Sequence, residues 1–368
     1  MILPDYHRCG TNMVASIAQY FGVQPLHHTL PELDALLASG QYRNIVLLVL
    51  DGMGMEVLER CLKPDGLLRS RLITPISAVF PSTTTAATTS LISGLNPGEH
   101  GWIGWTLHFD QLGKSVDTFS NLAQFTNTPA ACFHAAETFL PYQALTDTVN
   151  RQGTAKAVTI SPYANIRVNS IQRLVTKTVE VLREPGQHYV YAYWGEPDHT
   201  MHRLGCHHAE IQHIMNNIEE RLIELHQSLS KQDLVLVTAD HGLLDAPPDY
   251  FEDFLELHAM LRMPPAVEPR AAALYVQEKA LSVFPAAFKQ AFGKRYWLMT
   301  GDEAVSSGLF GPDDMNPLLR SLVGDYFAVA VSNHALFDRR EHCNVIGVHA
   351  GLTEQEMRVP LIAMSGDV

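Results

Sequence analysis

Apolar runs that end on a polar residue recur along the chain. Residues 45–50 are six consecutive apolar residues, and Asp51 follows them directly, with glycines at positions 52 and 54. The segments 153–162, 188–198 and 231–242 repeat this pattern of a β-rich run with a polar or glycine-containing end. Because these runs lack apolar–polar alternation, they predict strands that are covered on both faces.

The segments between these runs have helical periodicity. Residues 207–230 carry apolar side chains at helical spacing, and residues 55–62 have the pattern of a short helix. Strands that alternate with helices favour an α/β fold with a doubly wound, mostly parallel central sheet and helices on both faces. In such a sheet ligands bind beyond the carboxyl ends of the strands, which is where Asp51 is expected. Gly52 and Gly54 would let the backbone turn there without side-chain crowding.

Length and a change of pattern late in the chain bear on the domain organisation. The 368 residues are long enough for one large α/β domain with an insertion or for two domains, and residues 260–325 are predicted to form a small helix-rich insertion or cap subregion. A strand predicted at 324–333 returns the chain to the core.

Composition excludes several classes of function. A net charge of −13 argues against binding of a nucleic-acid polymer, and no apolar run approaches the length of a membrane span. The first residues lack the pattern of a signal peptide, so a cytoplasmic location is expected. The five cysteines are scattered and form no CxxC pair, which indicates neither a disulfide framework nor a thiolate metal site.

Aspartate and histidine collect at or just after the ends of the predicted strands. Each one alone fits an ordinary turn or helix start, but their combination at strand ends predicts a metal centre. These are the ligands that Zn²⁺ or Mn²⁺ prefers where thiolates are absent, and six suffice for two cations. The candidates are Asp51, Asp198, His202, Asp240, His241 and His349.

A threonine-rich segment, 80–101, offers a candidate nucleophile. A helix is predicted from about Thr84 to Ile92. A hydroxyl at a helix N-terminus lies beside free backbone N–H groups, which also hold phosphate. A metal that binds the hydroxyl lowers its pKa and makes it a nucleophile at neutral pH. An N-capping run of serine and threonine is the alternative interpretation of this segment.

These motifs together resemble the type I phosphodiesterase/nucleotide pyrophosphatase branch of the alkaline phosphatase superfamily. The resemblance spans residues 45–363 and implies that the whole chain, 1–368, forms a single alkaline phosphatase-like catalytic domain that includes the 260–325 subregion. It is carried, in the family's order, by VLDGMG, FPSTTTAATTSLISGLNPGEHG, EPDHTMH, TADHG and VHAGLTEQEMRVPLI.

The resemblance also implies how the candidate residues divide into two metal sites. One site would hold a cation with Asp51, Asp240, His241 and the nucleophile. The family nucleophile lies nine residues before the pair Ser93-Gly94, which places it at Thr84. A shift of one residue, to Thr83 or Thr85, remains open.

The second implied site consists of Asp198, His202 and His349. The sequence departs from the family near the substrate, where Trp105 occupies the position of an asparagine that helps to hold the phosphate. Trp105 and Trp102 are therefore candidates for substrate binding, with plain packing as the alternative.

The expected function is hydrolysis of phosphate esters, in particular phosphodiester or pyrophosphate bonds, through a covalent phosphothreonine. Two divalent cations are expected, Zn²⁺ first and Mn²⁺ as the alternative, with a small-molecule phosphate ester as substrate. A phosphomonoesterase, a phosphonate or sulfate ester hydrolase and a phosphosugar mutase use the same metal core and stay open. A binding protein that keeps the fold without activity is a further alternative, and the oligomeric state is open, a homodimer included.

Overall fold

The structure is a computed structural model that describes residues 1–312 and 314–366. Its strands are, in chain order, β1 (Asn44–Leu50), β2 (Leu72–Ser77), β3 (Thr106–Phe109), β4 (Lys114–Asp117), β5 (Leu122–Ala123), β6 (Lys156–Ser161), β7 (Ile166–Arg167), β8 (His188–Trp194), β9 (Asp233–Thr238), β10 (Leu244–Asp245), β11 (Pro248–Tyr250), β12 (Ala266–Glu268), β13 (Ala271–Leu274), β14 (Tyr296–Thr300), β15 (Tyr326–Ala330), β16 (Ala335–Phe337), β17 (Gly347–Val348) and β18 (Arg358–Ser365).

The α-helices are, in the same order, α1 (Gly10–Tyr20), α2 (Pro31–Ser39), α3 (Met55–Cys61), α4 (Leu67–Ser70), α5 (Thr84–Ser93), α6 (Pro97–His100), α7 (Ala135–Phe139), α8 (Leu145–Gln152), α9 (Ile171–Leu182), α10 (Asp198–Leu204), α11 (Ala209–Gln227), α12 (Leu255–His258), α13 (Phe284–Phe292), α14 (Gly301–Ser306), α15 (Leu319–Leu322) and α16 (Glu354–Met357). Short 3₁₀ turns occupy Phe251–Asp253, Glu278–Ala280 and Arg340–His342.

The central sheet has the strand order β2-β18-β9-β1-β8-β6-β7 among the described residues. Strands β9, β1, β8, β6 and β7 run parallel, and β18 is antiparallel to both β9 and β2. Every residue of β1 is buried, because β1 lies in the middle of the sheet with helices covering its faces. The fold class expected from the sequence, α/β with a mostly parallel central sheet, is confirmed.

Helix α5 starts where the threonine-rich segment predicts a start. Thr83 is its N-cap in an extended conformation, and Gly94 ends it with a φ of 80°. Glycine has no side chain to clash in this left-handed conformation and therefore terminates helices readily. The helix packs with α1, and its first turn lies at the edge of the central sheet where Asp51 follows β1.

A second sheet, which the sequence did not predict, takes three short strands, β12, β13 and β14, from the segment 260–325. In the described part of the chain its order is β14-β15-β13-β12-β3-β4-β5, with antiparallel pairing. The segment also supplies helices α13 to α15, but its strands pair with β3 and β15, which lie outside it. The strand predicted at 324–333 is present as β15 and belongs to this second sheet.

A buried ion pair links the two sheets. Arg270 immediately precedes β13 of the second sheet, and Glu356 lies in α16, which leads into β18 of the central sheet. The Arg270 guanidinium donates from Nε and Nη2 to the two carboxylate oxygens of Glu356 at 2.6 and 2.8 Å, and both side chains are 0% exposed. Burial by itself raises the pKa of Glu356, but Arg270 and nearby hydrogen bonds outweigh burial and hold that pKa below its usual value.

In the ranges 1–312 and 314–366, none of the helices combines the length and the apolar character that crossing a membrane requires.

Replacement of Arg270 by methionine is expected to destabilise the protein. Arg270→Met leaves the Glu356 carboxylate buried without its counter-charge, so the free energy of unfolding should fall by about 3–5 kcal/mol. Urea and thermal unfolding of the purified protein measure the change. Arg358→Met is the matched control, because Arg358 pairs with Glu354 at the surface and should contribute less than about 1 kcal/mol. Equal losses in the two variants would contradict a special role for the buried pair.

Candidate metal centre

The carboxyl ends of three neighbouring strands bring three aspartates together. Strand β1 lies between β9 and β8, and Asp51 follows β1 directly. Asp240 follows β9 after a two-residue step, and Asp198 begins α10 after β8. Backbone hydrogen bonds fix this arrangement, since the Asp51 N–H donates to the Trp194 carbonyl at 2.9 Å and the Asp198 N–H donates to the Asp51 carbonyl at 3.1 Å. The parallel pairing of the strands therefore places the carboxylates at one edge of the sheet.

Asp51, Asp240 and His241 form the first cluster, in which one ligand atom from each residue lies within 4.8 Å of the others. Asp240 Oδ1 accepts from the backbone N–H groups of Gly52 at 3.1 Å and His241 at 3.0 Å. Asp240 Oδ2 and Asp51 Oδ1 are buried and find no hydrogen-bond partner in the described part of the chain. A buried carboxylate oxygen without a partner is costly unless a cation binds it.

The second cluster consists of Asp198, His202 and His349, and one ligand atom from each residue again lies within 4.8 Å of the others. His202 lies one helical turn after Asp198 on α10, and His349 directly follows β17. Asp198 Oδ1 is a further buried oxygen that lacks a hydrogen-bond partner among the described residues. The two clusters adjoin, because the rings of His241 and His349 stack with centroids 3.9 Å apart.

The hydrogen bonds of the three imidazoles fix which nitrogen faces the centre. Each Nδ1 lies against a backbone carbonyl: His202 at 2.7 Å from Gly347, His349 at 3.1 Å from Ser82, and His241 at 3.2 Å from Gly242. An Nδ1–H that donates to a carbonyl leaves Nε2 as an unprotonated acceptor, which is the form that binds metal. The Nε2 atoms of His202 and His349 face each other at 3.2 Å, and a cation between them would relieve the repulsion of two lone pairs.

The pKa shifts in the centre have the same physical origin. Burial, followed by the charges of Asp198 and Asp240, raises the pKa of Asp51 well above its ordinary value. Burial raises the pKa of Asp198 to about 7, against the opposing effect of His202. Burial also lowers the pKa of His241 and, with His241 and His202, that of His349. Ionised carboxylates and neutral imidazoles are both stabilised by a bound divalent cation, so the donor set fits metals.

Two glycines make room for these ligands. Gly52 has a φ of 72°, and a Cβ there would lie 2.9 Å from the Cβ of Asp198. A Cβ on Gly242 would lie 2.0 Å from the Gln355 carbonyl oxygen. Only glycine permits the turn after β1 and the close approach after β9, and both turns carry ligands.

Of three consecutive threonines, Thr84 faces the first cluster. Its Oγ1 lies 3.2 Å from His241 Nε2 and 3.5 Å from Asp51 Oδ2. The Thr83 hydroxyl instead donates to Glu268 Oε1 at 2.6 Å. The Oγ1 of Thr85 is buried and has no hydrogen-bond partner in the ranges that the structure describes. The geometry therefore separates the three candidate nucleophiles and gives Thr84 the position beside the metal ligands.

The two candidate tryptophans differ in their surroundings. Trp105 is 48% exposed, and its ring meets that of Phe119 edge to face with centroids 6.0 Å apart. Trp102 is only 3% exposed, and its indole N–H donates to the Leu140 carbonyl at 2.8 Å. The structure thus gives Trp102 a packing role, whereas the ring of Trp105 reaches solvent near the site.

Two residues at the centre were not predicted from the sequence. The Tyr193 hydroxyl donates to Asp51 Oδ2, because the register of β8 and β1 places Tyr193 beside Val49. Glu268 comes from β12 of the second sheet and contacts Thr83. Neither residue carries a local signal, since each reaches the site through strand pairing between distant parts of the chain.

Comparison with known proteins places these features in a family. Residues 45–291 match the family described as type I phosphodiesterase/nucleotide pyrophosphatase. A search of curated proteins finds no match. Among solved structures, murine ectonucleotide pyrophosphatase/phosphodiesterase 5 has a TM-score of 0.67 at 16% identity, with 87% of each chain covered.

Two further structures give similar values. An inactive threonine-to-alanine variant of the murine protein in complex with AMP has a TM-score of 0.68, and the human protein has one of 0.64; both share 16% identity and 87% coverage of each chain. These likenesses support the fold, and the family match extends over more than half of the sequence. The chain therefore belongs to the type I phosphodiesterase/nucleotide pyrophosphatase family of the alkaline phosphatase superfamily, and it is a metal-dependent hydrolase of phosphodiester or pyrophosphate bonds.

Proposed function

We propose that this chain hydrolyses small-molecule phosphodiesters or pyrophosphates with two divalent cations and a phosphothreonine intermediate at Thr84. The observation that carries the proposal is the position of the Thr84 hydroxyl, 3.2 Å from His241 Nε2 at the edge of two adjoining ligand clusters. A hydroxyl beside metal ligands and at a helix start combines the parts that phosphoryl transfer needs.

Asp51, Asp240 and His241 would hold one cation, and a second set would hold the other. The second set is Asp198, His202 and His349. Carboxylate and imidazole ligands without thiolates favour Zn²⁺, with Mn²⁺ as the alternative. When bound, such cations lower the pKa of a hydroxyl and neutralise the charge that builds on phosphoryl oxygens.

The protein residues supply the bond-forming steps. Thr84 Oγ1 attacks phosphorus and forms a P–O bond while the bond from phosphorus to the leaving oxygen breaks. Asp51 Oδ2 at 3.5 Å is an acceptor within reach of the Thr84 hydroxyl proton, whereas His241 Nε2 at 3.2 Å would hold the cation. Water then attacks the phosphothreonine, releases the phosphate product and restores the hydroxyl.

The start of α5 assists this reaction. Free backbone N–H groups in the first turn of a helix and its positive dipole end stabilise phosphoryl oxygens. Helix α5 has 10 residues and begins at Thr84, so its N–H groups lie beside the nucleophile. The murine structure in complex with AMP was obtained with an inactive threonine-to-alanine variant, which is consistent with a threonine nucleophile in this fold.

A cytoplasmic location is part of the proposal. All five cysteines of the chain lie in its described part and are free thiols. Free cysteines fit a reducing compartment, where disulfides are rare.

Two isosteric substitutions test the nucleophile. Thr84→Val removes the attacking hydroxyl and should lower kcat by about 10³-fold or more, with the metal content unchanged. Thr85→Val is the matched control and should keep its turnover, because the Thr85 hydroxyl bonds no described residue. Steady-state kinetics and elemental analysis of both variants measure these effects. Full activity in Thr84→Val, or loss in Thr85→Val alone, would refute the assignment.

Metal content tests the two clusters. The purified protein should bind two equivalents of Zn²⁺ or Mn²⁺, and chelation should abolish hydrolysis and lower the temperature of unfolding, because the carboxylates lose their counter-charge. Asp240→Asn should reduce the stoichiometry, since Asp240 Oδ2 has no other described partner. Elemental analysis and calorimetric titration of the apoprotein give the stoichiometry. Unchanged binding in Asp240→Asn would exclude Asp240 as a ligand.

A substrate panel separates the reaction types. The highest kcat/KM is expected for bis-p-nitrophenyl phosphate, measured as release of p-nitrophenol, against p-nitrophenyl phosphate, an aryl phosphonate and p-nitrophenyl sulfate. A higher kcat/KM for the monoester, phosphonate or sulfate would favour the corresponding hydrolase. Transfer between sugar hydroxyls without release of inorganic phosphate would indicate a mutase.

A further inference from the structure

Glu268 is a charged side chain beside the candidate nucleophile that the reaction scheme does not use. Its Oε1 accepts from the Thr83 hydroxyl at 2.6 Å and from the Trp105 backbone N–H at 2.8 Å. Thr83 directly precedes Thr84, so this carboxylate lies at the entrance to the helix that carries the nucleophile. Within the described residues its Oε2 has no hydrogen-bond partner and remains able to act on a ligand.

The backbone holds Glu268 in place through a strained residue. The preceding Val267 has a φ of 74°, a conformation that β-branched residues rarely adopt. Val267 packs on Gly104, where a Cβ would lie 2.6 Å from Val267 Cγ1. This contact brings the segment with Trp105 against β12. Strain of this kind persists where surrounding structure over-determines the conformation, and it is common at functional sites.

Within the described ranges, no basic side chain lowers the pKa of Glu268. Partial burial raises the pKa of Glu268 to about 7, and the additional charge that acts on it is Asp117, which raises the pKa further. Glu268 in turn adds to the effects that raise the pKa of Asp198, because the two carboxylates repel each other. Arg270 lies two residues later in the chain, but its guanidinium is taken up by Glu356 and the carbonyls of Ser332 and His334.

We propose that Glu268 is a specificity-determining residue that acts against substrates carrying a second negative charge on the reacting phosphoryl group. The inference rests on the proposed function. A phosphodiester has one negative charge at that group, whereas a phosphomonoester has two above its second pKa of about 6. The Glu268 carboxylate repels the additional charge, and the site thus prefers diesters without any contact to their second ester group.

The neighbouring positions fit this assignment. Glu268 Oε1 accepts hydrogen bonds from the Thr83 hydroxyl and the Trp105 backbone N–H. These two donors could otherwise bind a phosphoryl oxygen. The Glu268 carboxylate therefore lies beside Thr84, where a phosphate dianion would need hydrogen-bond donors.

Removal of the charge without a change of shape tests the proposal. In Glu268→Gln the amide oxygen still accepts both hydrogen bonds. With p-nitrophenyl phosphate and bis-p-nitrophenyl phosphate assayed at pH 8.5, the ratio of kcat/KM for monoester over diester should rise about tenfold or more. Glu268→Asp keeps the charge and, like the wild type, should prefer the diester over the monoester. Glu256→Gln makes the same chemical change at an exposed position and should leave the ratio unchanged.

A proportional loss or gain on both substrates in Glu268→Gln would overturn the proposal, because a merely structural role affects both esters alike. Calorimetric binding of inorganic phosphate to the metal-loaded protein provides a second readout that needs no turnover. Glu268→Gln should bind this dianion about tenfold more tightly or better; unchanged affinity would contradict the charge effect. If the wild type hydrolyses neither ester, the proposed function fails, and the phosphate affinity still decides the role of Glu268.

Discussion

The repulsion between buried carboxylates at the ends of three adjacent strands is the constraint on which this structure depends. Asp51, Asp198 and Asp240 each follow a strand of the central sheet, and each leaves a buried oxygen without a partner among the described residues. Such an arrangement is costly in an apoprotein, because burial and like charge both disfavour ionisation. A bound cation makes the ionised form of the buried carboxylates favourable, so metal binding is coupled to folding. The same unfavourable arrangement that costs stability would thus favour a bound cation.

Backbone contacts, rather than side-chain packing, hold the ligands in this unfavourable arrangement. The three imidazoles each place Nδ1 against a carbonyl, and the aspartates are aligned by the parallel register of β9, β1 and β8. Glu356 stabilises the loop that carries His349, because it accepts a hydrogen bond from the Gly351 N–H at 2.7 Å and pairs with Arg270. The buried ion pair therefore supports the loop of the candidate metal centre.

Local patterns were sufficient to predict β1, β6, β8 and β9 of the central sheet, whereas β2, β7 and β18 were not predicted. The apolar run at 45–50 becomes β1 and the helix expected from Thr84 becomes α5, because both patterns are continuous in sequence. The candidate ligands could be found because they follow such runs. Strand β12 has three residues and pairs at Val267 with Thr106, far away in the chain, so the local pattern does not reveal its pairing partner. Tyr193 and Glu268 were missed for the same reason.

The two sheets supply different residues to the candidate site, and this affects which substrates it could accept. The central sheet supplies the aspartates through its strand ends, whereas the second sheet supplies Glu268 and begins just after Trp105. Substitutions on the second sheet can alter the charge and shape beside the candidate metal centre without moving any of its candidate ligands. Because Glu268 bonds the N-cap of α5, such changes still act next to Thr84, the proposed nucleophile. A fold built in this way can keep one metal chemistry and vary the esters on which it acts.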